Sequence, residues 1–456
     1  MDVPRTIFRQ YDVRGLVDRE LTPELARALG RAYASVAWDR IGRAPVLAVG
    51  RDNRPSGAAL AAGVVRGIVE TGATAVTLGE LPTPALYFAV HHLQTDGGLQ
   101  VTGSHNPPEF NGFKMVVAGD AIHGDEILGL HDLIVREQWR AGKGSERAHG
   151  SVLPAYREAI VSRHRLARPV RAVVDCGNGV ASLVAIGTLR ALGVEVTPLF
   201  CDSDGSFPNH HPDPTVPANL ADLQRVVRAT GAELGIAFDG DGDRIGAVDE
   251  TGEIIFGDML LVIFGRDAVR RFGPGTPVIF DVKCSELLPQ ALLRAGARPE
   301  MWKTGHSLIK ARMKETEAPL AGEMSGHIFF GGDWFGFDDA LFAAARLAEI
   351  VGAGPLGLAR LLADLPRTFS TPEIRVDCAD EEKFGVVERA AAHFAARYTV
   401  NRIDGARIAF PDGWGLLRAS NTQPVLVLRF EATSPEALER YRAEVTGWLA
   451  AQGVRV

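Results

Sequence analysis

One pattern recurs three times along the chain and restricts its fold more than any other feature. An apolar strand ends at an aspartate, in Val46-Leu-Ala-Val-Gly-Arg-Asp52, Ala172-Val-Val-Asp175 and Val278-Ile-Phe-Asp281. A loop, a helix, a glycine and a second strand-like segment follow, at residues 72–78, 193–197 and 296–302. A third short apolar strand comes later, at 98–101, 234–238 and 319–321. Strands that alternate with helices pack as sheets covered on both faces. Each third strand runs into a polar loop: Thr102-Gly-Ser-His-Asn-Pro107, Asp239-Gly-Asp-Gly-Asp-Arg244 and Gly322-Glu-Met-Ser-Gly-His327. In open α/β sheets ligands sit beyond the carboxyl ends of strands, so the three loops predict three related domains facing one cleft.

At 456 residues the chain is too long for a single core. Polar or Gly-rich breaks near 140–145, 249–253 and 365–370 divide it. The predicted class is α/β: related domains with mixed sheets over 1–149, 150–252 and 253–365, then a smaller α+β domain over 366–456, around a central cleft. Thr22 before Pro23 marks the start of a first helix over 22–30. Asp338-Asp339 reads as the cap of a helix beginning near Ala340.

A net charge of −7 argues against nucleic acid as the main partner. No stretch is apolar enough to span a bilayer, and the N-terminus has no basic-then-apolar leader. Cys176, Cys201, Cys284 and Cys378 lie far apart without a Cys-x-x-Cys, which speaks against a disulfide framework or a zinc site. The expectation is a cytoplasmic protein without membrane or nucleic-acid partners, monomeric, with a dimer as the alternative.

Two of the loops carry the chemistry. In the first, Gly103 is expected to take backbone angles a side chain would forbid, while Pro107 and Pro108 fix the exit. Ser104 would then stand rigid and exposed, with His105 beside it and Lys114 ten residues on. In the second, Asp239, Asp241 and Asp243 alternate, which in an extended segment puts them on one face about 6.6 Å apart. A bend at Gly240 and Gly242 could converge them on one cation. An all-oxygen cage without His or Cys selects magnesium, manganese or calcium. An EF-hand is excluded, because Arg244 stands where that loop needs glycine and a strand precedes it. A serine hydroxyl and a carboxylate cage together point to phosphoryl transfer through the serine.

Weaker signals surround these. Arg418-Ala-Ser-Asn-Thr422 offers a guanidinium, hydroxyls and an amide suited to a phosphate, and Glu323, Ser325 and His327 suit sugar hydroxyls. Arg14 alone reads as a surface residue. His210-His211 reads as a loop pair, and Gly177-Asn-Gly179 lacks the full dinucleotide fingerprint. No P-loop sequence is present.

With these motifs in hand, the chain resembles the α-D-phosphohexomutase superfamily, and within it the bacterial phosphomannomutase/phosphoglucomutase group. The resemblance covers essentially the whole length, through Tyr11-Asp-Val-Arg-Gly15 and the four loops at 102–107, 239–244, 322–327 and 418–422. It implies four domains around a deep cleft, Ser104 as a phosphoserine, and magnesium held by that serine's phosphate with Asp239, Asp241 and Asp243. It implies reversible 1-phosphate to 6-phosphate isomerisation of mannose or glucose phosphates through a hexose 1,6-bisphosphate, which also serves as activator. Arg244 would neutralise the transferring group, and Lys114, His105 and His327 are unranked candidates for moving the hydroxyl proton. Arg418, Ser420, Asn421 and Thr422 would hold the non-reacting phosphate, and Glu323 and Ser325 the sugar. Tyr11, Arg14, Lys283 and His306 match further cleft positions of the family. A phosphoglucosamine mutase is the runner-up; that branch carries Gln where Met324 stands and Ser-Gly-Thr where Ser420-Asn-Thr stands. From other classes, a phosphosugar phosphatase and a non-catalytic sugar-phosphate sensor are the rivals.

Overall fold

The computed structural model describes residues 3–355, 357–421 and 423–455. Three of its sheets share one strand order. In the first, Val46–Arg51 pairs parallel with Thr74–Glu80 on one side and Gly97–Val101 on the other, and Phe110–Val117 folds back antiparallel on Gly97–Val101. The second repeats this with Val170–Asp175, Val194–Leu199, Leu234–Phe238 and the returning Ile245–Asp249. The third does so with Pro277–Asp281, Arg298–Trp302, Leu320–Gly322 and Ile328–Phe330. The recurring segments of the sequence are therefore the three parallel strands of each sheet. The returning strand makes the sheets mixed and turns each polar loop into a hairpin connection at the same sheet position. It also brings Lys114 back beside the loop it follows.

Pro23–Ile41 is longer than the segment its cap announced, because apolar positions continue to Trp38 before Gly42 ends it in the left-handed region at φ 73°. Thr22 Oγ1 accepts from Leu25 N at 3.2 Å. This helix lies hard against Gly57–Val69. A Cβ at Gly67 would stand 2.0 Å from the Arg27 carbonyl oxygen, and one at Gly30 2.3 Å from that of Val64. Glycine is what permits that approach.

The C-terminal domain has a different, largely antiparallel sheet built on Ala406–Phe410, Gly413–Ala419 and Val425–Ala432, with helices Asp380–Ala395 and Pro435–Ala451 packed against it. It meets the third domain through buried arginines. Arg407 donates to the carbonyl oxygens of Val282 and Cys284, and Arg429 to that of Lys283. Trp414 lies beneath the Arg407 guanidinium, 3.7 Å from it.

One sequence reading needs correcting here. Only Asp339 caps the helix Ala340–Gly352, accepting from Phe342 N at 2.9 Å. Asp338 instead turns inward towards His327 and Lys310. The cysteines at 176 and 201 are distant in sequence, yet their sulfurs lie 3.1 Å apart, because each follows one of two adjacent parallel strands. Among the described residues no helix is long and apolar enough to cross a membrane.

Candidate active site

The serine loop is held from beneath. Arg54 is fully buried and donates to four carbonyl oxygens: Ser104 at 2.7 Å, Asn106 at 2.6 Å, Pro107 at 2.6 Å and Phe110 at 2.9 Å. Its Nε pairs with Asp52 at 3.1 Å, and the same carboxylate accepts from Thr102 Oγ1 and Gly103 N. Gly103 is needed for space and not for unusual angles: a Cβ there would meet the Arg54 guanidinium carbon at 2.5 Å. The left-handed residue is Ser104 itself, at φ 49°. Nor is Ser104 exposed; it is 2% accessible, at the floor of the domain contact. Its hydroxyl donates to Asp239 Oδ2 at 2.8 Å and lies 3.1 Å from His105 Nδ1.

The carboxylate loop is a tight turn built on its first member. Asp239 Oδ1 accepts from the N–H groups of Gly242, Asp243 and Arg244 at 3.0–3.1 Å, which leaves Oδ2 for Ser104. Lys114 Nζ sits between the other two, 2.8 Å from Asp241 Oδ2 and in contact with Asp243 Oδ2. Thr83 also donates to Asp241. Burial disfavours the Lys114 ammonium, but Asp241 and Asp243 outweigh it and hold its pKa well above the ordinary value. Burial likewise opposes charge on Asp241, and Lys114 with Thr83 wins there too, keeping that carboxyl below the usual range. Asp239 has no such counter-charge at contact; burial and its two neighbours push its pKa well up.

This arrangement suits a hard divalent cation. The three aspartates offer oxygens within 4.8 Å of one another, and all three residues are fully buried. Oδ1 of Asp241 and Oδ1 of Asp243 have no hydrogen-bond partner among the described residues. Buried carboxylate oxygens left unpaired are costly, and a cation would satisfy them while relieving the repulsion on Asp239.

Opposite this loop stands the third domain. Arg244 donates from Nε to His327 Nε2 at 3.0 Å, and His327 Nδ1 lies 3.6 Å from Asp243 and 3.1 Å from Asp338. The His306 ring stacks on that of His327, 5.6 Å between centroids, and meets Tyr11 edge-on at 5.9 Å. Burial, and then Lys310, keeps His306 well below the ordinary imidazole value; burial with Arg244 and Arg14 does the same for His105. Glu323 accepts from Gly305 N at 2.6 Å and from Ser325 Oγ at 3.3 Å.

Cations and Asn421 close the remaining side. Lys283 lies 3.4 Å from Glu373 and 3.9 Å from Asp281, and Arg418 pairs with Asp404 at 3.1 Å. Ser420 Oγ accepts from Gln423 N at 3.2 Å. Asn421 donates to the Tyr11 hydroxyl at 2.8 Å, which itself donates to the Thr304 carbonyl oxygen at 2.6 Å, so first, third and fourth domains meet at one phenol. Arg14 is a loop contact and not a free surface residue, bonding Asn106 Oδ1 at 2.9 Å and Asp12 at 2.6 Å. Thr422 lies outside the described residues. His210 pairs with Asp175 at 3.1 Å, apart from these contacts.

Sequence reasoning missed Arg54, Asp338 and Asp404 as parts of the site. A signal for two further anchors was present: the strand-end aspartates of the repeat. Asp52 secures the serine loop, and Asp281 accepts from Met324 N at 3.1 Å and Thr304 Oγ1 at 3.0 Å in the third domain.

Comparison with known proteins agrees along the whole chain. Residues 5–140, 154–252 and 256–369 match the alpha/beta/alpha domains I, II and III of phosphoglucomutase/phosphomannomutase, and residues 373–447 match its C-terminal domain. A Pseudomonas aeruginosa protein named phosphomannomutase/phosphoglucomutase is 48% identical over 443 residues, covering 96% of this chain and 94% of that one. A Neisseria gonorrhoeae phosphoglucomutase is 44% identical, covering 96% and 95%. The crystal structure of a phosphoglucomutase/phosphomannomutase family protein from Burkholderia thailandensis superposes with a TM-score of 0.92 at 45% identity, covering 99% of this chain and 98% of that one. Four domains in order, one strand plan used three times and a serine set against a carboxylate turn thus have a single source: the chain belongs to the phosphoglucomutase/phosphomannomutase family.

Proposed function

We propose that the protein interconverts the 1- and 6-phosphates of glucose or mannose through a phosphoserine at Ser104 and a hexose 1,6-bisphosphate. The observation that carries this reading is the 2.8 Å contact between Ser104 Oγ and Asp239, which joins the serine of the first loop to the carboxylate turn of the second domain. Magnesium held by Asp239, Asp241 and Asp243 would, when bound, supply positive charge beside the transferring phosphoryl group.

The chain's own groups divide the remaining work. The free hydroxyl of a bound hexose phosphate attacks the phosphorus on Ser104; the new O–P bond forms as the Oγ–P bond breaks. Arg244 neutralises charge on the equatorial oxygens. Lys114 is paired with Asp241 and Asp243, which makes it a poor acceptor for the hydroxyl proton, and His105 faces Ser104 itself. His327 could accept it once Arg244, whose Nε donates to His327 Nε2 at 3.0 Å, turns to the phosphoryl oxygens and frees that lone pair. Arg418, Ser420, Asn421 and Thr422 hold the phosphate that does not react, with Lys283 and His306 beside them. Glu323 and Ser325 hold ring hydroxyls. The bisphosphate then turns over and returns its other phosphate to Ser104. Trace bisphosphate activates by restoring phosphoserine lost to water. The proposed setting is the cytoplasm, and the proposed state is a monomer, which sedimentation would test.

The deciding assay supplies glucose 1-phosphate or mannose 1-phosphate with magnesium and trace bisphosphate, and follows 6-phosphate and free phosphate together. Rapid 6-phosphate with little free phosphate is expected, and intact mass should show a phosphorylated fraction that disappears in Ser104→Ala. Free phosphate as the main product would make the protein a phosphatase; binding without either product would make it a sensor.

A further inference from the structure

At the carboxyl end of the second sheet two thiols meet that the proposed reaction does not use. Val170–Asp175 and Val194–Leu199 run parallel, and Cys176 and Cys201 stand just beyond their ends. Cys176 N still donates to the Leu199 carbonyl oxygen at 3.1 Å, so the ladder runs one step past the strands. Phe200 then takes the left-handed backbone, φ 47°, and the chain turns Cys201 back over the end of the ladder. Its sulfur lies 3.1 Å from that of Cys176, 3.2 Å from the Leu199 carbonyl oxygen and 3.4 Å from that of Val174. Both cysteines are free thiols; Cys201 is partly exposed, whereas Cys176 is wholly buried. Their contact lowers the pKa of the Cys201 thiol and, with burial, raises that of Cys176. The exposed sulfur is therefore the better nucleophile, and the buried one is placed to attack it in turn.

The pair is joined to the catalytic loops on both sides. Gly179 N donates to the Cys176 carbonyl oxygen at 2.7 Å, and the next N–H, that of Val180, donates to the Gly240 carbonyl oxygen at 3.0 Å, inside the carboxylate turn. Packing there is tight: a Cβ at Gly179 would stand 2.8 Å from that oxygen. The segment after Cys201 reaches the first domain instead. Asn53 donates to Ser203 Oγ at 2.9 Å, and the Phe207 ring lies 5.1 Å from the guanidinium of Arg54, which holds the serine loop. A bond between the sulfurs measures about 2 Å, so closing it from 3.1 Å draws the two segments together by about 1 Å.

We infer that Cys176 and Cys201 form a redox modification site, a dithiol that hydrogen peroxide closes to a disulfide, and that closure lowers turnover by shifting the carboxylate turn. The Cys201 thiolate attacks one peroxide oxygen; the S–O bond forms as the O–O bond breaks, giving a sulfenic acid and hydroxide. The Cys176 sulfur then attacks the Cys201 sulfur; the S–S bond forms as the S–O bond breaks and a second hydroxide leaves. The two thiol protons convert both hydroxides to water, so two thiols are oxidised and one peroxide is reduced. A thiol reductant reverses the change, and in a reducing compartment such a disulfide is transient. Its effect on rate rests on the mutase reading above, whereas the disulfide does not.

The test uses the full chain with magnesium, reduced, then treated with hydrogen peroxide and digested without reductant. A peptide joining Cys176 to Cys201 is expected, about 2 Da lighter than the two thiol peptides together and absent after dithiothreitol. In Cys176→Ser the attacking partner is gone, so dimedone should tag Cys201; in Cys201→Ser, Cys176 should stay unmodified. Hydrogen exchange at the Val180 amide should be faster in oxidised than in reduced wild type. On glucose 1-phosphate, kcat should fall at least about tenfold as the linked peptide forms and recover with dithiothreitol, while Cys201→Ser loses less than about twofold under the same peroxide. No linked peptide, or equal peroxide losses in wild type and Cys201→Ser, would overturn the inference. A linked peptide with Val180 exchange unchanged, or with kcat unchanged in an active mutase, would overturn the coupling to the carboxylate turn. The wild-type map needs no variant to fold. Should the protein lack mutase turnover altogether, the map and the exchange still judge the pair while the functional reading fails.

Discussion

Arg54 donates to the carbonyl oxygen of Ser104 at 2.7 Å, from fifty positions upstream and with both residues buried. Its guanidinium serves the whole loop, since Asn106, Pro107 and Phe110 accept from the same side chain. The loop's conformation, with Ser104 at φ 49°, is thus imposed by a tertiary partner.

Arg54→Lys should therefore be severe despite keeping the charge. A lysine has three donors on one atom and no planar fork, so it cannot reach all four carbonyl oxygens. Each buried carbonyl left unpaired costs about 1–3 kcal/mol. The expected outcome is a lower melting temperature and kcat reduced by at least about tenfold, since each 1.36 kcal/mol in the barrier is about tenfold. Melting curves and steady-state kinetics check both; wild-type values for both would show that the backbone holds the loop alone.

Asp241→Asn should mainly lower turnover. A cation stabilises charge that grows in the transition state, so its weakened binding should affect kcat more than KM. Activity in wild type should be lost in excess chelator and return with magnesium. Turnover indifferent to chelator would remove the metal from the reaction.

His164 makes stability depend on pH. It ends the segment after helix Leu153–Val161, donates from Nδ1 to the Ile160 carbonyl oxygen at 2.9 Å and packs on Phe342, 4.6 Å between rings. Burial, and then Arg346, lowers its pKa to about 4. The unfolded chain binds the proton at an ordinary value near 6.5, before the folded one does, so stability falls as pH drops through this window and is flat above it. Between about pH 7.5 and about pH 5 this amounts to as much as about 2 kcal/mol. Denaturant unfolding of wild type and His164→Leu at both pH values should show a smaller acid loss in the variant; equal losses would place the proton-binding difference elsewhere.

On the proposed mechanism, sugar choice follows from the turning of the bisphosphate. Exchanging the two ends of the ring returns the 3- and 4-hydroxyls to similar places but not the 2-hydroxyl. Glu323, buried and braced by Gly305 N and Ser325, can serve the same two hydroxyls in both poses. Glucose and mannose 1-phosphates should have kcat/KM within about tenfold, a difference of about 1.4 kcal/mol. Galactose 1-phosphate should fall well below both, because inversion at C4 leaves a buried carboxylate unpaired, at about 1–3 kcal/mol or more. A glucose-to-mannose ratio beyond about a thousandfold would mean that the 2-hydroxyl is read directly.

Read alone, the sequence determined the elements and their order. Apolar runs such as Leu234–Phe238 specify strands, Thr22 before Pro23 specifies a helix start, and the recurrence of one pattern specifies three like sheets with polar loops at one end. These are local properties, set by backbone preference and by which face each side chain must bury. Tertiary structure alone decided the partners. Lys114 reaches Asp241 across 127 positions, Ser104 reaches Asp239 across 135, and Asn421 reaches Tyr11 across 410. It also separated Asp338 from Asp339, two adjacent carboxylates with the same local propensity, sending one to His327 and the other to a helix N-terminus. Periodicity records which way a residue faces, but a buried polar group takes its role from what stands opposite, and that depends on how whole domains meet.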